Sequence, residues 1–254
     1  MSTAVPPMPS ETAPAGLSES QRIINTFAAP TKTFTDIRRN ASWWMPFVLL
    51  TVTSLLLGFT KFQKLDPVHL VQQRIELSSR AQRQMEQLSP SQREASIALQ
   101  AKVARISFFA GPIGYLLGAL LIAAVFMAVF NFGFAAEIPF QRYLSIAFYA
   151  FLPVVLSNIL MVVALSLNSD PDSFNQFNPI ATNPAYFMDI GEHRLLYGIA
   201  ASLDLFSIWV VTLIGLGIAA NSAKGKVSAG SALITMYVLY GLLILGGTAV
   251  ASAF

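Results

Sequence analysis

The polar residue most able to do chemistry in this chain is Asp204, set in the run Ser202-Leu203-Asp204-Leu205-Phe206-Ser207 with apolar neighbours on both sides. A carboxylate in such a run costs at least about 2.5 kcal/mol near hydrocarbon unless it is paired, protonated or wet. Ser207 follows it by one helical turn, and Asn158 and Tyr149, on another apolar run, are expected hydrogen-bond partners. Asp204 fits a proton or cation site, or else a structural role, either as a buried lock between helices or as a residue shallow enough to reach the headgroups. A proton relay needs a chain of ionisable groups, and no second acidic residue falls inside an apolar run, so the structural role is the favoured reading.

Other chemistry finds little support. The chain has no cysteine, which removes disulfides, thiolate metal sites and a cysteine nucleophile. Its two histidines, His69 and His193, are far apart, and Glu192-His193 is not a two-histidine helical zinc motif. Neither a nucleophile elbow nor a phosphate-binding glycine loop ahead of a lysine is present. Asp170-Pro171-Asp172 resembles the opening of a calcium loop, but Phe174 occupies the third ligand position, and the required glycine and distal glutamate are missing. Asn40-Ala41-Ser42 matches a glycosylation acceptor but abuts an apolar run on the expected inner side. The reading is therefore of a chain that is not an enzyme and needs no cofactor or metal.

Five apolar runs must position these groups: Trp43–Phe62, Ile106–Phe132, Tyr143–Leu167, Gly198–Ala220 and Gly230–Phe254. Each approaches or exceeds the roughly 20 residues that a helix needs to cross about 30 Å of hydrocarbon. Backbone groups in lipid must be satisfied within the chain, so the runs are read as helices. With 54% hydrophobic and 11% charged residues, against about 25% charged in soluble domains, the expected class is an all-α polytopic membrane protein with five transmembrane helices. A net charge of +3 from scattered basic residues suits anionic headgroups and excludes nucleic acid as a partner.

Residues 1–17 have no signal-peptide pattern and are read as a disordered tail of Pro, Ala, Ser and Thr. Residues 18–42 are read as amphipathic juxtamembrane helices. Ser18-Glu19-Ser20-Gln21 predicts a capping box, with Ile23, Ile24 and Phe27 on one face and a stop at Pro30. A second short helix carries Phe34 and Ile37 opposite Lys32, Arg38 and Arg39, and both are expected to lie in the headgroup layer. Residues 43–254 form the expected five-helix domain.

Within that domain, residues 61–105 predict a helical hairpin outside the membrane. One helix runs from Pro67 to Leu88 with a thin stripe at Val68, Val71, Ile75 and Met85, and a second is started by Ser89-Pro90-Ser91-Gln92. Pro112 and Pro153 are read as breaks in two crossings. Gly114 and Gly118, four apart, and Gly215 and Gly217 are read as helix-packing positions. Basic residues in the N-terminal flank and at Lys224 and Lys226 favour an inside N-terminus. The long first loop, with eight basic and four acidic residues, argues against it.

Several stretches together carry a family likeness: Arg22-Ile-Ile-Asn-Thr-Phe27 with Pro30-Thr-Lys-Thr-Phe34, then Trp43-Trp44-Met45-Pro46, Gln141-Arg142-Tyr143 leading to Tyr149-Ala-Phe-Leu-Pro153, and Leu203-Asp204-Leu-Phe-Ser-Ile-Trp209 with Gly215-Leu-Gly217. In their order and five-helix setting these resemble the Yip1 domain family of integral membrane proteins, in its bacterial form. The resemblance covers most of Arg22–Phe254 except the first loop. It implies a five-helix membrane domain with a cytoplasmic N-terminus, without known catalytic activity, in the bacterial inner membrane. Eukaryotic relatives act in vesicle traffic and engage small GTPases and one another. The short soluble N-terminal part carries the GTPase role over poorly, and the basic hairpin lies outside the shared pattern. The family motif maps onto Asp204. The resulting reading is a non-catalytic protein that associates with itself or with other membrane proteins in the bilayer. The alternative is a small transporter or channel component using Asp204 and the two proline breaks.

Overall fold

A computed structural model describes residues 16–76, 78–168, 178–188 and 194–253. The tail up to residue 15, Asp170 and Asp172 of the calcium-like stretch, and Glu192 and His193 lie outside the described residues. Regular structure among the described residues is entirely helical.

Four segments are long and apolar enough to span a bilayer. They are α3 (Trp44–Lys64), α7 (Gly111–Met127) with its π-helical extension to Phe132, the pair α8 (Phe140–Ala150) and α9 (Leu152–Leu167), and α12 (Ala229–Ala253). A fifth span is counted when α10 (Arg194–Ser202) and α11 (Leu205–Asn221), which meet at 55°, are taken as one broken crossing. The fourth crossing is thus not the continuous helix expected over Gly198–Ala220, because Leu203 and Asp204 leave the helix between its two halves.

The N-terminal helices depart furthest from expectation. The capping box forms as the sequence predicts. Ser18 Oγ accepts from the Gln21 amide at 3.2 Å, and Gln21 Oε1 accepts from the Ser18 amide at 2.9 Å, starting α1 (Glu19–Ala28). Pro30 then opens α2 (Pro30–Ile37). Neither helix lies on a surface layer by its apolar face. Phe34 and Ile37 are fully buried, while Ile24 is 66% exposed. The reason is a notch in α11: a Cβ at Gly217 would stand 2.5 Å from Ile146 Cγ2 and 3.0 Å from Phe34 Cδ1, so only glycine leaves room for the Phe34 ring. Asn221 Nδ2 donates to the Phe34 carbonyl at 2.9 Å, and Arg142 and Ser145 of α8 donate to the carbonyls of Arg38 and Ala41. Trp43 stacks on Phe148 at 5.0 Å and closes this end of the bundle.

The segment between the first two crossings also differs in detail. The helix expected from Pro67 to Leu88 is two helices, α4 (Pro67–Glu76) and α5 (Ser79–Glu86). Ser78 Oγ accepts from the Ala81 amide at 3.3 Å, and this new N-cap ends one helix and begins the next. The second expected start holds: Ser89 and Gln92 make a capping box for α6 (Pro90–Ser107), against which α4 packs. Leu65 and Leu70 pack with Leu165 at the end of α9. That contact fixes α4 to the bundle, on the end opposite α2.

Replacing Phe34 with Ala should therefore cost about 3 kcal/mol or more. Ile24→Ala should stay within about 0.5 kcal/mol. Thermal unfolding of the purified protein in detergent distinguishes the two.

Candidate functional site

Asp204 is the N-cap of α11, with extended backbone at φ −76° and ψ 138°. Its Oδ1 accepts from the amides of Phe206 at 3.0 Å and Ser207 at 3.1 Å, with Ser207 Oγ at 3.5 Å. These amides are the free donors at a helix start, where a negative charge also meets the positive end of the helix dipole. The third loop completes the arrangement. Thr182 Oγ1 donates to Asp204 Oδ2 at 2.5 Å, and the Thr182 carbonyl accepts from the Leu205 amide at 3.0 Å. On the other half of the break, the Tyr240 hydroxyl of α12 donates to the Ser202 carbonyl. The contacts to the Phe206, Ser207 and Leu205 amides and to the Ser202 carbonyl satisfy backbone that the 55° bend would otherwise strand, and the two hydroxyls hold the Asp204 carboxylate in place.

Asp204 and Ser207 stand beside an apolar gap of about 620 Å³ bordered by α7, α9, α11 and α12. Val154, Phe206, Val211 and Leu239 contribute to its wall.

The other two polar residues read with Asp204 bond elsewhere. Asn158 is buried on α9, where its Nδ2 donates to Thr53 Oγ1 at 3.3 Å and to the Tyr115 hydroxyl at 3.2 Å, joining three helices. The Tyr149 hydroxyl donates to Glu19 Oε2 at 2.8 Å, 130 residues away in the chain, and so ties α8 to α1. Hydropathy reads both as polar residues within apolar runs but does not say which helix each one faces.

Pro112 and Pro153 both lie in the first turn of a helix, α7 and α9. A proline there loses no intrahelical bond. The chain turns at Phe108–Ala110 before α7 begins, so the second crossing starts at Gly111 and not at Ile106. Gly114 and Gly118 have nothing within 4 Å of a notional Cβ, whereas Gly215 meets Leu233 of α12 at 2.9 Å and Gly217 meets Phe34.

Two polar constellations escaped sequence reasoning. The first is a buried ion pair between α1 and α2: the Arg22 guanidinium donates twice to Asp36 Oδ2, each at 2.7 Å, and is 2% exposed. Burial alone would lower the Arg22 pKa, but hydrogen bonds with Tyr149 and Asp36 outweigh it and raise the pKa above the ordinary value. An arginine and an aspartate flanking a helix–proline–helix turn were the only signal. The second is the connection from α7 to α8. Asn131, in the π-helical turn, bonds both backbone groups of Ile138 and accepts from the Tyr143 hydroxyl at 3.0 Å. Ala135 and Glu137 are held at φ 50° and 54°, a conformation that costs L-residues about 1 kcal/mol or more. The Ala223 amide and the Lys226 ammonium clamp the same loop through Ala136 and Glu137.

Two expected outcomes follow. Asp204→Ala should lose about 1 kcal/mol of stability while Asp204→Asn, which can still cap, loses little; denaturation in detergent reads the difference. Arg22→Met should cost about 3–5 kcal/mol by stranding Asp36, and adding Asp36→Leu should recover most of it. A double-mutant cycle measures that coupling.

Searches of curated proteins and of solved structures find no significant match. A family profile does match, the Yip1 domain, over residues 24–249. That interval takes in α2, the α11 notch that receives it, the Asp204 cap and all the candidate spans, so this chain belongs to the Yip1 domain family.

Proposed function

We propose that this multi-pass protein is non-catalytic and works by associating with itself or with other membrane proteins, in a membrane-organising role of the trafficking kind. The observation that carries this reading is the lateral surface of α12. Only 6% of its most apolar stretch is buried within the chain. Gly241, Gly246 and Gly247 have open space where a side chain would stand. Small residues on a membrane helix let another helix approach closely, and the gap of about 620 Å³ beside α12 offers a concave seat.

The transport reading draws less support. The Asp204 carboxylate is occupied by backbone amides and a threonine hydroxyl, and its two remote candidate partners serve other helices. The location that suits the family resemblance is the bacterial inner membrane with the N-terminus inside. The clustering of Arg38, Arg142 and Lys226 at the end of the bundle that holds α2 supports that orientation.

The lack of native cysteine makes the test direct. Leu243→Cys, on the exposed face of α12 beside the gap, should form a disulfide dimer on mild oxidation in native membranes. Val52→Cys, also exposed on α3, should not. Equal crosslinking at both positions, or none at Leu243 together with no co-purifying membrane protein, would remove the association reading.

A further inference from the structure

A second cavity lies away from Asp204 and shares no lining residue with the gap beside it. It measures about 850 Å³ and is bounded by α3, α4, α6, α7 and α9. That volume is in the range of small-molecule sites, about 300–1,000 Å³. It is not a place where the helices fail to meet. On its border α3 touches the chain as closely as glycine allows: a Cβ at Gly58 would stand 2.3 Å from the Phe108 carbonyl oxygen, and one at Gly111 would stand 2.7 Å from Ser54 Cβ. The helices are locked at these glycines and part between them.

The chemistry of the wall is graded. Ser54, Tyr115 and Asn158 contribute polar groups from α3, α7 and α9. Leu57, Val103 and Phe108 add apolar surface. Lys61 and Arg74 add two cations, and no carboxylate lines the cavity among the described residues. Lys61 is seven residues from Ser54 on the same helix, so the lining extends about 10 Å along the helix axis at about 1.5 Å per residue. Lys61 stands in the last turn of a spanning helix, at the depth where headgroups meet hydrocarbon. It is half-buried, Arg74 is exposed, and neither side chain makes an ion pair or hydrogen bond among the described residues. Arg105 of α6, by contrast, is engaged, lying 4.4 Å over the Phe62 ring. A cation near hydrocarbon without a counter-charge is costly, and basic pockets between membrane helices suit phosphate headgroups.

We infer that this cavity binds a phosphate-bearing anion, with Lys61 and Arg74 neutralising the phosphate and the oxygens of Ser54, Tyr115 and Asn158, whose own protons are spent within the bundle, accepting from a hydroxyl beside it. The apolar strip fits the first carbons of an acyl chain. The site requires no partner chain and stands apart from the association surface on α12.

Native mass spectrometry of the full chain in detergent, with phosphatidylglycerol or phosphatidylcholine added, tests it. Thermal shift with inorganic phosphate is run in parallel. Phosphatidylglycerol should be retained over phosphatidylcholine. Lys61→Gln and Arg74→Gln should each weaken retention about fivefold, at about 1 kcal/mol per cation. Lys61→Arg should keep it, and Lys102→Gln, which removes an exposed charge from α6 outside the cavity, should leave it unchanged. Stabilisation by inorganic phosphate with the same dependence on Lys61, without lipid retention, would support the site and assign it to a soluble phosphate. Equal retention of both lipids, equal weakening by Lys102→Gln, or response to neither ligand would overturn the proposal.

Discussion

The contact between Arg22 and Asp36 is the constraint on which the arrangement of the bundle turns. An arginine that is 2% exposed must have its charge answered locally, because leaving either partner alone costs several kcal/mol. Asp36 answers it from the next helix, and that pairing fixes the angle between two short helices separated at Ala29 and Pro30. With the angle fixed, Phe34 and Ile37 point away from solvent and into the notch at Gly217. Thr26 and Thr33 help by returning their hydroxyls to the Arg22 carbonyl, each at 2.8 Å. A pair of helices too short to be stable alone thereby becomes part of the core.

The rest of the molecule shows the same economy at its breaks. The chain departs from regular helix inside or beside a crossing at the α10–α11 bend, at the π-helical turn after α7, and at the turns of Phe108–Ala110 and Phe151. At the first two, the freed backbone finds a partner outside the helix ladder. The Tyr240 hydroxyl donates to the Ser202 carbonyl, the Thr182 carbonyl accepts from the Leu205 amide, and the Asn131 side chain bonds both backbone groups of Ile138. Irregular backbone near lipid persists only where such partners exist.

The spans were legible in the sequence because each is a long run of predominantly apolar residues, and a helix satisfies the backbone of such a run within the segment itself. The capping boxes at Ser18 and Ser89 were legible because their signal is local. Burial of α2 was not. Phe34 and Ile37 fall one turn apart in a short amphipathic helix, and that pattern looks the same whether it faces headgroups or a protein notch. The role of Asp204 was half legible. Its carboxylate stood out against apolar neighbours, but a window averaged over Gly198–Ala220 runs across the helix break and hides that Asp204 begins a helix. Pro112 was visible, but a proline reads as a kink or as a start only once the preceding turn at Phe108–Ala110 is known. The cavity between α3 and α6 was out of reach, because its cations come from segments whose only sequence signal is a mixed-charge loop.

The contact between Phe34 and α11 has a consequence for how the chain is made. The Phe34 carbonyl and its donor, Asn221, are 187 residues apart. At synthesis rates of about 5–20 residues per second, the first helices wait on the order of ten seconds or more before their seat exists. During that interval Arg22 and Asp36 remain wet and the apolar side of α2 stays open at the membrane surface, accessible to whatever escorts the nascent chain. Docking of α2 is thus a late event that becomes available only once four crossings have been synthesised, and a buried Phe34 marks a completed insertion.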